Sequence, residues 1–186
     1  LVDSMPILVA KGRRSGSAKV ARELCSKTYC ASRDEWYYGM KLHAIAASRP
    51  QTIPLPCSLI ITAASEHDLP CAKQMIENLD AHHCRIIADK AYCDAVWESE
   101  LRSGRNVELC TPRKKPKGIT ETLISSDTLD TSISIRRQPV ESFFNWIQAR
   151  TGIQIASKVR SVKGLLLHTF GRLAAALAIL YFNFNY

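Results

Sequence analysis

The sequence predicts an α/β fold: a mixed sheet, built from a three-strand antiparallel meander plus parallel strands, flanked by helices. Three observations predict it. Three β-rich segments open the chain, which favours antiparallel pairing. Short apolar runs then alternate with stretches of helical periodicity, the pattern of parallel strands joined by crossover helices. The chain has 186 residues, 46% hydrophobic and 23% charged. That is enough for one domain over 1–186 with its own core, and far from disordered, collagen-like or disulfide-stapled compositions.

The elements follow in order. LVDSMPILVA at 1–10 is apolar apart from Asp3 and Ser4 and reads as the first strand. Residues 11–33 are basic and punctuated by Gly and Ser without a sustained period, the composition of a long loop. WYYGMKLHAIAA at 36–47 alternates as a strand does. Residues 49–56 carry three prolines and turn, and the β-branched run CSLIITA at 57–63 is the third strand. Asp68 caps a helix whose Ala72, Met75, Ile76 and Leu79 share a face, with Pro70 tolerated in the first turn. CRIIAD at 84–89 is a short buried strand ending in an acid. Val96, Trp97 and Leu101 then stand at helical spacing, and residues 107–110 form a further short strand. Residues 112–135 begin basic and turn Ser/Thr/Asp-rich without a core period, so they are expected to form a mobile loop. Gln138-Pro139 opens the next helix. On it Val140, Phe143, Phe144 and Ile147 form an apolar face beside a polar stripe of Glu141, Asn145 and Gln148. The last helix is expected from residue 161 to about residue 183.

The 25 Lys and Arg against 17 Asp and Glu leave a net charge of +8, which points to a polyanionic partner but says nothing of fold. Seven scattered cysteines with no CxxC pair argue for free thiols in a reducing cytoplasm rather than a zinc site. No leader-like pattern opens the sequence. The apolar stretch 164–184 has the length of a bilayer span, yet His168, Arg172 and Asn183 interrupt it. A core helix is the expectation, and no membrane.

Three acids stand in apolar settings: Asp3 inside a strand, Asp89 at a strand end and Glu141 on an amphipathic helix. Each also has a local reading, as a cap or a helix N-terminal acid. Together they have another, because a carboxylate in a sheet is costly without a partner and a divalent cation is one. Hard oxygen ligands select Mg²⁺ or Mn²⁺. Two such ions about 3.5–4 Å apart can activate a nucleophile and stabilise the leaving oxygen of a phosphodiester.

The sequence resembles the DDE-type transposases of bacterial insertion sequences, in the ribonuclease H-like integrase/transposase superfamily. The phrases that carry the resemblance are VDSMPI around Asp3, YYGMKLH at 37–43, ASEHDLP at 64–70, IIADKAYCD around Asp89, TPRKKPKG at 111–118, RRQPVESFFNWI around Glu141 and RSVKGLLLH at 160–168. They fall in family order over nearly the whole chain. The resemblance implies a ribonuclease H-like sheet and makes Asp3, Asp89 and Glu141 the catalytic, metal-holding acids. It implies hydrolysis at transposon ends and then strand transfer, with water and the freed 3′-hydroxyl as successive nucleophiles. Arg137 matches the family's Arg four residues before the third acid, while its Tyr and Lys positions hold Ser134 and Gln148.

DNA contacts are expected at Arg137 and at Arg113, Lys114, Lys115, Lys117, Lys41 and Lys90. His43 could join Lys41 on one strand face. Tyr92 could follow Lys90 to the DNA, or be an ordinary residue. The partners implied are transposon-end and target DNA and a second copy in a homodimeric active complex, acting in the bacterial cytoplasm at the nucleoid. The family's N-terminal DNA-binding segment has no counterpart ahead of Asp3, so an N-terminally truncated element is expected. The alternative is a catalytically inactive relic that still binds DNA.

Overall fold

A computed structural model of the chain describes residues 1–112 and 124–184. The strands are β1 (Val2–Lys11), β2 (Ser26–Cys30), β3 (Glu35–Ala47), β4 (Leu55–Ala63), β5 (Arg85–Ile87) and β6 (Glu108–Cys110). The helices are α1 (Asp68–Asn78), α2 (Ala95–Arg105), α3 (Ile124–Thr151) and α4 (Val162–Phe184). This is the expected α/β class, consistent with a ribonuclease H-like fold. Strand β3 is the hub of a four-stranded sheet, pairing with β1, β2 and β4. Its 13 residues give it room for two successive partners along one edge. The parallel pair β5–β6 stands as a sheet of its own rather than extending the larger one.

By their contacts the residues group into two compact units, one formed by Leu1–Ser4, His43–Ile60 and His67–Ser142, the other by Met5–Leu42, Ile61–Glu66 and Phe143–Tyr186. In the first unit, the Leu1 ammonium donates to the Ala46 carbonyl at 2.8 Å and the Ala46 N–H donates to Leu1 at 2.9 Å, which fixes the start of β1. Helix α2 is the crossover between β5 and β6, which pair in parallel register from Arg85↔Glu108 to Ile87↔Cys110. Asp94 caps α2 by accepting from the Val96 and Trp97 N–H groups, and Asn106 ends it in the left-handed conformation (φ 52°) that Asn tolerates. The core holds Val2, Ile45, Met75, Ile76, Ile86, Tyr92, Trp97 and Leu109. Helix α1 departs from expectation at its start: His67 is the capping residue, without a side-chain cap bond, and Asp68 is already helical.

In the second unit, β2 pairs antiparallel with the start of β3, Ser26 against Gly39 through Cys30 against Glu35. This strand lies inside the stretch expected as a loop. Gly39 is required by close approach: a Cβ there would sit 2.0 Å from the Ile7 carbonyl oxygen. Leu8 accepts from Ala156 and donates to Gln154 at 2.9 and 2.7 Å, tying β1 to the segment ahead of α4.

Helix α3 corrects two expectations. It begins at Ile124, so residues 124–135 are helical rather than part of a loop, and Pro139 lies inside it rather than in its first turn. Helix α4 occupies the expected span but is not enclosed. Leu165, Thr169, Leu173, Ala176 and Leu180 are buried, whereas Leu167, Phe170 and Tyr181 are more than half exposed. It is long and apolar enough to cross a membrane by length and composition, with 28% of that window buried.

Candidate active site

The acids come from three elements of the first unit. Asp3 lies on β1, two residues in from the paired Leu1, so its side chain points from a strand backbone that is already committed. Asp89 follows the end of β5 and caps the short 3₁₀ turn Lys90–Tyr92, its Oδ1 accepting from the Lys90 N–H at 2.6 Å. Glu141 lies well inside α3, not near its start, and is exposed. The local capping reading of Asp89 is therefore met, at this short turn.

Arg137 joins two of the three. Its Nη1 donates to Asp3 Oδ2 at 2.6 Å and its Nη2 to Glu141 Oε1 at 2.5 Å. The Arg137 and Asp3 side chains are about one-fifth exposed and Glu141 about half. A planar guanidinium spanning two carboxylates is the geometry to which Arg is suited. The R-x-x-x-E spacing at 137–141 signals this helical pair, although the sequence assigned Arg137 to DNA.

Burial pushes the Asp3 carboxyl up to about 6 from the usual 3.8. The Arg137 charge and the Ser4 N–H, which donates to Oδ1 at 2.8 Å, oppose that rise, and the charges of Asp89 and Glu141 add to it. Asp3 therefore feels both other acids. Tyr92, considered above as a DNA contact, is instead 2% exposed in the core beneath this region. Its hydroxyl faces Ser4 without good hydrogen-bond geometry, and burial followed by the charges of Asp68 and Asp3 holds its ionisation well above the usual range. Ser4 and Tyr92 carried no sequence signal for such a place.

The donor chemistry is that of a hard-cation site, three carboxylates and no sulfur. Among the described residues no group of three His, Cys, Asp or Glu side chains is already arranged to hold a metal. The Arg137 guanidinium instead engages one oxygen each of Asp3 and Glu141.

Arg113, Lys114, Lys115 and Lys117 lie outside the described residues. Lys90 is exposed beside Asp89. Lys41 donates to the Glu66 carbonyl at 2.7 Å, and His43 is 1% exposed with Nδ1 3.8 Å from Asp68. At the family's Tyr and Lys positions, Ser134 donates back to the Asp130 carbonyl and the Gln148 side chain accepts from the Gln154 N–H, both at 2.8 Å.

A model of the transposase DDE domain family matches residues 1–177. No curated protein and no solved structure matches the chain. The match carries with it a transposase function, phosphoryl-transfer or nuclease-type chemistry, and DNA as the partner, in a family generally dependent on divalent metal. On that match, which spans almost the whole length, the chain belongs to the transposase DDE domain family.

Proposed function

We propose that this chain cleaves DNA at transposon ends and joins the freed 3′-hydroxyl to target DNA, with Asp3, Asp89 and Glu141 as the catalytic acids. The observation that carries this reading is electrostatic: Asp3 lies in the field of both other acids, and one guanidinium neutralises Asp3 and Glu141 together. Acids from β1, the end of β5 and α3 have no structural need to sit in one another's field unless they serve a shared ligand or reaction. Their oxygens fit Mg²⁺ or Mn²⁺, which Asp3, Asp89 and Glu141 would hold. Two such ions, when bound, supply activation of the attacking oxygen and stabilisation of the leaving one.

The chain's own part is positioning. The committed β1 backbone and the Ser4 N–H orient Asp3. The Lys90 N–H orients Asp89. Arg137 holds Asp3 and Glu141 against mutual repulsion, and it is placed to contact a DNA phosphate once those oxygens are taken by cations. Lys90 and the basic run Arg113, Lys114, Lys115 and Lys117 would add backbone contacts, and Lys41 would have to leave the Glu66 carbonyl to do so. The active complex would be a homodimer at the nucleoid in the bacterial cytoplasm.

Nicking or strand transfer supported by Mg²⁺ or Mn²⁺ tests this reading. Asp89→Asn should reduce it to the level of a chelated control while leaving DNA binding intact. Undiminished activity in Asp89→Asn would reject the assignment, and salt-dependent binding without cleavage in the parent protein would favour an inactive relic.

A further inference from the structure

The positive charge of the chain is concentrated at its first connection. Between residues 11 and 33 stand Lys11, Arg13, Arg14, Lys19, Arg22, Lys27 and Arg33 against the single acid Glu23, so 23 residues hold six of the eight net charges. Among the described residues none of Lys11, Arg13, Arg14 and Arg33 forms an ion pair. Like charges gathered without counter-charges repel one another, and a fold retains them at a cost unless a polyanion covers them.

Their arrangement is specific. Lys11 ends β1, and the 3₁₀ turn Gly12–Gly16 follows, entered through Gly12 at φ +57° and braced by the buried Ser15, whose hydroxyl donates to the Gly12 carbonyl at 2.7 Å. That turn presents Arg14 beside Lys11. Arg33 approaches from the 3₁₀ turn Ala31–Arg33 after β2, held by a 2.6 Å bond from its Nη2 to the Gln154 amide oxygen, a neutral acceptor that leaves its charge unspent. The three cations line one cavity of about 310 Å³ with Ser157, above an apolar floor of the buried Leu8 and Val9, and no acid lines it. An apolar floor lowers the local dielectric and strengthens attraction to an anion. Lys27 extends the basic surface, its ammonium 4.9 Å above the ring of the exposed Trp36.

We propose that this face of the second unit, centred on Lys11, Arg14 and Arg33, is a binding surface for the DNA phosphodiester backbone, additional to the carboxylate site. The identity of the polyanion rests on the transposase reading; the site itself does not. Contacts through cations to phosphate hold DNA in register without reading its sequence.

The test is equilibrium binding of a fluorescent duplex to the full chain in EDTA, so that cleavage plays no part, over a series of salt concentrations. Each phosphate contact contributes about 0.9 to the slope of log affinity against log salt, so Lys11→Ala/Arg14→Ala/Arg33→Ala should lower that slope by about 2–3. It should do so equally for unrelated duplex sequences, with an unchanged circular dichroism spectrum. A control that removes the same charge from other exposed positions, Arg102→Ala/Arg150→Ala/Lys163→Ala, should leave the slope nearly intact. Equal slopes for the two triple variants would overturn the proposal. So would displacement of the duplex by inorganic phosphate at an ionic strength where chloride does not displace it, which would mark a small-anion site. A parent protein that binds no DNA would overturn this proposal and the DNA reading together, whereas DNA binding with an unchanged slope in the site variant would overturn this proposal alone.

Discussion

Asp3 and Arg137 carry the energetics of the candidate site. A carboxyl raised to about 6 in the folded chain, against 3.8 unfolded, binds its proton more tightly when folded. The sign follows: its contribution favours the fold below pH ~4 and is lost as pH rises toward 6, a fall on the order of 2–3 kcal/mol. Urea midpoints measured against pH in EDTA should show this decline in the parent and not in Asp3→Asn. Arg137→Ala removes the counter-charge from a partly buried acid, so stability near neutral pH should drop by about 1–3 kcal/mol and the Asp3 decline should extend to higher pH. An unchanged midpoint in Arg137→Ala would show that the two ion pairs contribute nothing. Asp3, Asp89 and Glu141 stood out in the sequence because acids in apolar runs are costly, and the family wording offers them as the catalytic set. The guanidinium between two of them was not, since Arg137 reaches Asp3 across 134 positions and only its i,i+4 partner Glu141 lies within local range. The surroundings of Lys41 and His43 were not legible for a related reason. Strand alternation puts i and i+2 on one side of a sheet, but it does not say that His43 is enclosed beside Asp68 while Lys41 reaches a carbonyl.

Helix α3 shows what periodicity misses. Residues 124–135 are rich in Ser, Thr and Asp, which compete with the helix for backbone hydrogen bonds, and Pro139 reads as a first-turn residue. In the structure Ser134 and Ser142 hydroxyls bond back to carbonyls four residues earlier, and the helix runs through the proline. An interior proline forgoes one backbone bond and costs up to ~3 kcal/mol. Pro139→Ala should therefore stabilise the chain by about 1 kcal/mol or more, whereas a helix beginning at Gln138 would lose its favoured first-turn residue and gain nothing. Thermal melts of the two proteins, with amide exchange over residues 130–138, distinguish the cases. Strand β2 was missed because its five residues, SKTYC, are polar, flanked by Gly and Ser, and paired along an edge with both faces partly exposed. Among the strands with buried residues, β1 was legible from its apolar content and β3 from its alternation.

For the whole molecule, the class was readable from the order of strands and helices, and the transposase family from wording spread over residues 2–168, which the family match over 1–177 bears out. What pattern alone did not reveal is the division of the larger sheet from the β5–β6 pair, because short strands of three residues have no signal for which neighbour they join. The net charge of +8 fits a DNA partner and sits mainly in residues 11–33. The central claim is that Asp3, Asp89 and Glu141 form one divalent-cation site. Mn²⁺ binding to the intact chain, followed by calorimetry or the signal of free Mn²⁺ in solution, tests it most directly. The account predicts saturable binding that weakens at least about 10-fold in each of Asp3→Asn, Asp89→Asn and Glu141→Gln. Binding equal to the parent's in any one of the three would contradict it.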